Sequence, residues 1–198
     1  MTDEALYALN KESHGMWTEQ GLDAPWMHLT FPEFQQAIRG VPMFVALDAE
    51  TGELLGMHSF RTHRKEGWCY GYRLAIASSA RREGIASRML TYEAERIRQA
   101  GYRYLRGVTG TTAEWSVRWH LRNGYRIIGY YHSPNNNFTN YVFRKQLAPS
   151  ILWGPTLGPL TARMSFAASW LVNHLLKHSD GRDNLLGRFA RKIIHKEH

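Results

Sequence analysis

The stretch Leu74–Ala86, LAIASSARREGIA, decides how this chain is read. Leu74, Ala75 and Ile76 end an apolar run, Ser78-Ser79-Ala80 turns the chain, and Arg81 through Ala86 leads into a helix. The first turn of a helix has N–H groups without intrahelical acceptors and a partial positive charge. Gly84 lets a ligand approach the backbone, Ala86 keeps a bulky side chain out of the way, and Arg81 and Arg82 add full charges. Those are the requirements for holding a pyrophosphate. Alone, R-x-x-G-x-A also describes an ordinary helix start with solvated arginines. The strand before it and the amphipathic helix after it favour the functional reading.

Outward from that loop, the upstream sequence reads as an antiparallel meander. MFVAL (43–47), ELLGMHSFRTH (53–63) and WCYGYRLAIA (68–77) are strands joined by the polar turns DAETG and RKEG. The first forty residues are helical and aromatic-rich. Pro32 and Glu33 open a short helix there, with Thr30 as its N-cap and Gly40 as its stop. Downstream, Ala86, Met89, Leu90, Ala94 and Ile97 recur at helical spacing up to Gly101. YRYLRGVTG (102–110) is a fourth strand. Thr111 with Glu114 reads as a capping box for a helix through Arg122, with Glu114 and Arg118 as an i,i+4 pair. Two strands, 125–133 and 138–147, then flank the turn PNNN. The predicted fold is α+β, a mixed and mostly antiparallel sheet flanked by helices, with a C-terminal helical extension.

With these elements in place, the sequence resembles the GNAT superfamily of N-acetyltransferases over residues 40–147. The family pattern Q/R-x-x-G-x-G/A after an L-x-V-like strand end is matched by Leu74-Ala75-Ile76 and by Arg81 through Ala86. An aromatic-rich helix running into a Gly-Phe/Tyr pair and two strands is matched by Trp115–Arg122, Gly124-Tyr125 and the hairpin that follows. The phosphate loops of other nucleotide-binding folds are absent: no G-x-x-x-x-G-K-[ST] occurs, and no G-x-G-x-x-G follows a strand.

The resemblance implies acetyl-CoA or another acyl-CoA as cosubstrate, lying where two parallel strands splay apart. It implies that the backbone from Leu74 to Ile76 pairs with the pantetheine arm. Amides from Arg82 to Ser87, Gly84, Ile85 and Ala86 among them, would hold the pyrophosphate beside Arg81, and the N–H near Ile76 would polarise the thioester carbonyl. A tyrosine usual four residues before the glycine of the Gly-Phe pair is replaced by His120. An imidazole can protonate a leaving thiolate, and His120 can equally pack between Trp119 and the sheet. An asparagine usual near Ala113 is also missing. The general base is often a carboxylate on the strand holding Tyr70, Tyr72 and Arg73, which carries no Asp or Glu. Tyr70 and His120 are the catalytic candidates. His58 and Glu114 are outside candidates for the base, each with a structural reading as well.

Composition sets the surroundings. The 198 residues carry one cysteine, Cys69, and a formal net charge of +8. The opening MTDEALYALNKESHG is polar, and no apolar run approaches the ~20 residues of a membrane span. A cytoplasmic enzyme with anionic partners is expected, nucleic acid not among them. Histidine spacing offers no metal site: His58 and His63 point to opposite faces of a strand, and no H-E-x-x-H occurs. No G-x-S-x-G elbow supports a hydrolase.

Residues 1–149 form the acyltransferase domain and 150–198 a basic extension, with seven Lys/Arg against three Asp/Glu. LTARMSFAASWLVNHLL (160–176) and a second helix capped by Asn184 would pack on the domain, form a homodimer, or lie on an anionic membrane. The favoured function is transfer of an acetyl group to a small-molecule amine or amino sugar. Alternatives are transfer of a longer acyl chain from acyl-CoA or acyl carrier protein, and a non-catalytic ligand-binding or membrane-associated domain.

Overall fold

A computed structural model describes residues 2–133 and 135–178. The N-terminal helix α1 (Asp3–Thr18) is followed by a short 3-10 turn at Pro25–Met27 and by α2 (Phe31–Ile38). Thr30 is the expected N-cap of α2, and with the Glu33 carboxylate it forms a capping box there. The meander β1 (Met43–Leu47), β2 (Leu54–His63) and β3 (Trp68–Ile76) leads through a 3-10 turn at Ser78–Ala80 into α3 (Ile85–Gln99). Then come β4 (Tyr104–Gly110), α4 (Glu114–Arg122), β5 (Arg126–His132), β6 (Thr139–Gln146) and α5 (Gly158–His178).

The six strands form one sheet in the order β1-β2-β3-β4-β6-β5. Every neighbouring pair is antiparallel except β3 with β4. That parallel pairing covers only Trp68↔Tyr104, Cys69↔Leu105 and Tyr70↔Arg106. Beyond it both strands continue without pairing to each other, to Ile76 and to Gly110. The sheet therefore opens at its centre.

Side-chain alternation divides the core. On one face Met57 and Ala75 pack with Leu6 and Leu9 of α1 and Phe34 of α2. On the other, Phe60, Cys69, Leu105 and Phe143 pack with Leu90 and Ile97 of α3. Cys69 and Ala75 lie six residues apart on one strand and would share a face in an unbroken period of two. A bulge prevents it: Met57 pairs with Ala75 but Ser59 with Tyr72, so β3 carries one extra residue. Arg73, at φ 54, occupies it in the left-handed region.

Two expectations need correction. Thr111 does not cap α4; the N-cap is Ala113 and the helix begins at Glu114, with no side-chain cap bond. The Thr111 amide instead donates to Thr139 O across the adjoining strand, extending the ladder past Gly110. Glu114 still pairs with Arg118. In the extension, the helix starts at Gly158 rather than 160 and runs on to His178. The second helix, capped by Asn184, lies outside the described residues.

The helix α5 closes the sheet's edge. Its Asn173 amide donates to Tyr130 O and its Oδ1 accepts from the His132 amide at 2.9 Å, so one buried side chain replaces a missing strand partner on β5. Replacing Asn173 by Ala leaves a backbone donor and acceptor without partners. It should cost roughly 1–3 kcal/mol and lower the thermal midpoint, as measured by circular dichroism. An unchanged midpoint would show that α5 does not hold the edge.

Candidate active site

Where β3 and β4 part, a cleft of about 1420 Å³ crosses the molecule. Its lining brings together most of the residues singled out from sequence: Tyr70, Leu74 and Ile76 of β3, Arg81 through Ser87 except Glu83, and His120 of α4. At one end lies the loop before α3. Gly84 is the N-cap in the left-handed conformation at φ 77, and Arg82 is left-handed at φ 70. Left-handed residues in a turn are a feature of backbone concavities that bind anions. The amides of Arg82, Glu83, Gly84, Ile85 and Ala86 donate to no acceptor among the described residues, whereas Ser87 already donates to Gly84 O at 3.1 Å. Open space surrounds the Gly84 α-carbon. Arg81 braces the turn, its Nε donating to Ile76 O at 3.2 Å, while Nη2 is buried without a hydrogen bond, 3.8 Å from Glu12. These features fit a pyrophosphate.

At the point of parting, two glycines lie on adjacent strands. Tyr70 is the last β3 residue paired with β4, opposite Arg106; Gly71 and Gly107 come next. A β-carbon on Gly71 would lie 2.7 Å from His58 Nε2, and one on Gly107 would lie 3.1 Å from His120 Nε2. Each glycine thus leaves room for one imidazole, aimed through the sheet toward the cleft from the α3 side. His58 lies on β2 and is fixed from behind by Glu93 of α3, whose Oε2 accepts from Nδ1 at 2.8 Å. His58 is 5% exposed and Glu93 0%, and the Glu93 Oε1 has no partner. A buried carboxylate costs free energy unless it is paired, and the imidazole supplies the pair.

His120 is held differently. Its Nδ1 donates to Ser116 O at 2.8 Å, one helical turn earlier, and its ring stacks on Phe143 at 4.5 Å. Donation to a carbonyl assigns the proton to Nδ1 and leaves Nε2 as an unprotonated acceptor. Burial pushes its pKa down to about 4. Tyr70 is half-buried, and desolvation pushes its phenol up to about 12 and keeps it protonated. Its ring lies parallel to that of Tyr72, with centroids 5.9 Å apart.

Glu93 was missed because a carboxylate among Met89, Leu90 and Ile97 looks like an interruption of an apolar stripe. That interruption was its signal: Glu93 lies three positions after Leu90 and four before Ile97, so it must face the core. The expected triple-asparagine turn serves partly as a brace, since Asn137 Oδ1 accepts from the Asp23 amide at 2.7 Å and its Nδ2 donates to Gly21 O at 2.8 Å. No cluster of three or more potential metal ligands occurs among the described residues.

Comparison with known proteins agrees with this fold. The profile of the acetyltransferase (GNAT) family matches residues 4–125. No curated protein matches by sequence. Among solved structures, the ribosomal-protein-alanine N-acetyltransferase from Brucella melitensis is similar with TM-score 0.58 at 18% identity, covering 74% of this chain and 96% of that one. An N-acetyltransferase from Staphylococcus aureus Mu50 gives TM-score 0.58 at 19% identity, covering 75% and 96%. The ribosomal-protein-S18-alanine N-acetyltransferase from Escherichia coli gives 0.58 at 10% identity, covering 78% and 92%. At such identities the likeness is one of fold.

Burial of His14 and His120 also sets the response to acid. Both are held at about 4 against an ordinary 6.5, so the unfolded chain takes up protons first as pH falls. Their contribution to stability is fully present above about pH 6.5 and is lost down to about pH 4, at most on the order of 3 kcal/mol for each ring. Urea denaturation at pH 7.5, 6 and 4.5 should follow that decline, and H120Q should flatten it. An unaltered slope in H120Q would mean that His120 titrates normally.

Proposed function

Because the chain belongs to the acetyltransferase (GNAT) family, we propose that it transfers an acyl group, acetyl in the simplest case, from acyl-CoA to the amine of a small molecule. The observation that carries this reading is the opening between β3 and β4, with five free amides at one end and two imidazoles behind its edge. Acyl-CoA supplies an activated thioester carbonyl. The unpaired side of β3 from Leu74 to Ile76 receives the pantetheine arm as an added strand, and the N–H near Ile76 polarises the carbonyl oxygen. Arg81, Arg82 and the amides from Arg82 to Ala86 hold the pyrophosphate, with Ser87 bordering the loop.

The proton inventory assigns the histidines. An ammonium acceptor sheds two protons on becoming an amide, one of which ends on the departing sulfur and the other in solvent. His58 takes the first through Nε2 and releases it to solvent. Glu93 acts as its positioning residue, fixing the Nδ1–H tautomer and stabilising the imidazolium that forms. His120 receives the second at Nε2 as the new C–N bond forms. Its low affinity for protons then lets it protonate the thiolate as the C–S bond breaks. Tyr70, kept protonated by burial, donates a hydrogen bond at the mouth of the opening.

Acetyl-CoA at about a hundred times its Kd should stabilise the protein by about 2.7 kcal/mol through mass action, read as a rise in melting temperature. A panel of acyl-CoAs then ranks chain length. No shift with any thioester and no thiol release across an amine panel would overturn the proposal. H58Q should lower kcat/KM by roughly 10²–10⁴-fold, with recovery as rising pH supplies free amine. H120Q should lower kcat without that recovery. Equal pH profiles for the two variants would contradict the division of roles.

A further inference from the structure

Resting on the acyl-transfer reading, we infer that the acceptor amine carries an anionic group, a carboxylate or phosphate, bound between Arg61 and Arg73 beside Tyr72. The Arg61 guanidinium lies 5.0 Å from the Tyr72 ring centroid and that of Arg73 5.1 Å from the same ring. Neither has an acidic partner within 4.0 Å among the described residues. The Arg73 contacts are the Tyr72 and Phe34 rings and a long hydrogen bond to Ala37 O at 3.5 Å. Burial and the nearby Arg61 charge both disfavour its protonated form. Two like charges share one aromatic ring in a partly desolvated cleft, and a bound anion would offset the repulsion.

Three further observations point to a ligand. The hydroxyl of Tyr72, whose ring both cations approach, is buried and has no hydrogen-bond partner. Arg73 occupies the left-handed region, a strained conformation for an arginine, at the bulge that re-aims β3. Glu114 is the only carboxylate lining the cleft among the described residues, and it is already paired with Arg118. The ring attraction alone accounts for one guanidinium at Tyr72. It does not account for a second held at the same ring without a counter-ion. The same cleft has an aromatic lining: Trp17 meets Trp115 at 5.4 Å and Trp26 at 5.9 Å between centroids. An acceptor with an apolar or aromatic body therefore fits between these rings and the arginines, its amine toward the opening at Gly71.

The test uses matched acceptors with acetyl-CoA: phenylalanine against phenylalaninamide for a carboxylate, and phosphoethanolamine against ethanolamine for a phosphate. Thermal shifts with the same four compounds, with and without free CoA, give a readout independent of turnover. The anionic member of one pair should be favoured by roughly tenfold or more in KM. R61Q and R73Q should each abolish the preference. Arg61 is exposed, so R61Q keeps the fold. The pair that responds identifies the anion. Neutral members preferred or equal in both pairs, or a preference that survives R61Q, would overturn the inference and leave acyl transfer standing. Failure of acetyl-CoA to shift or react would instead remove the transfer reading, with anion binding still judged by the thermal shifts.

Discussion

The structure depends on a parallel pairing that stops after three residues. Had β3 and β4 stayed in register to their ends, the sheet would be continuous and its centre would hold no ligand. Tyr70 and Arg106 form the last rung. From there each strand keeps its outer neighbour, β3 on β2 and β4 on β6, so the opening exposes backbone without unfolding either strand. Unsatisfied backbone groups in a cleft are costly to keep dry and favourable to pair. The gap therefore calls for an extended ligand that supplies the missing rung.

The bulge at Arg73 and the glycines at 71 and 107 belong to the same arrangement. The extra residue inverts the alternation of β3 halfway along. Before it, Tyr70 and Tyr72 face away from Cys69 and α3; after it, Ala75 can pack with Met57 against α1 and α2. The two glycines remove side chains where imidazoles must approach. An alanine at Gly71 would place its β-carbon 2.7 Å from His58 Nε2, inside van der Waals contact, and the ring cannot swing away without breaking its bond to the buried Glu93. Backbone shape and buried polar pair thus constrain each other, which makes this pair a poor candidate for accidental burial.

Much of this was legible in the residues. The strand and helix order follows from periodicity, and the loop at 81–86 from its glycine and arginines. The β1 boundaries are as read, and α3 stops at Gln99, just short of the Gly101 read as its limit. What sequence could not supply was register. Nothing in WCYGYRLAIA announces that pairing with β4 ends at Tyr70, or that Arg73 is the extra residue, because both depend on strands far away in the chain. Thr111 looked like a cap because a local four-residue signal was available, and a strand contact with Thr139 claimed its amide instead. Glu93 was hidden for a related reason. Its stripe position marked it as inward-facing, but only the fold places it against His58, thirty-five residues earlier.

The placement of charge completes the argument. The +8 surplus is not spread evenly over the site. Arg81 and Arg82 line the cleft at the loop before α3, while Arg61 and Arg73 line it beside Tyr72. The imidazoles of His58 and His120 and the protonated phenol of Tyr70 line the same cleft. Cations close to an approaching ammonium disfavour its charged form and so assist loss of its first proton. The same cations would repel a simple amine and would tolerate one that carries its own negative charge. On the proposed reading, catalysis by deprotonation and selection for an anionic acceptor would be two consequences of one arrangement of arginines.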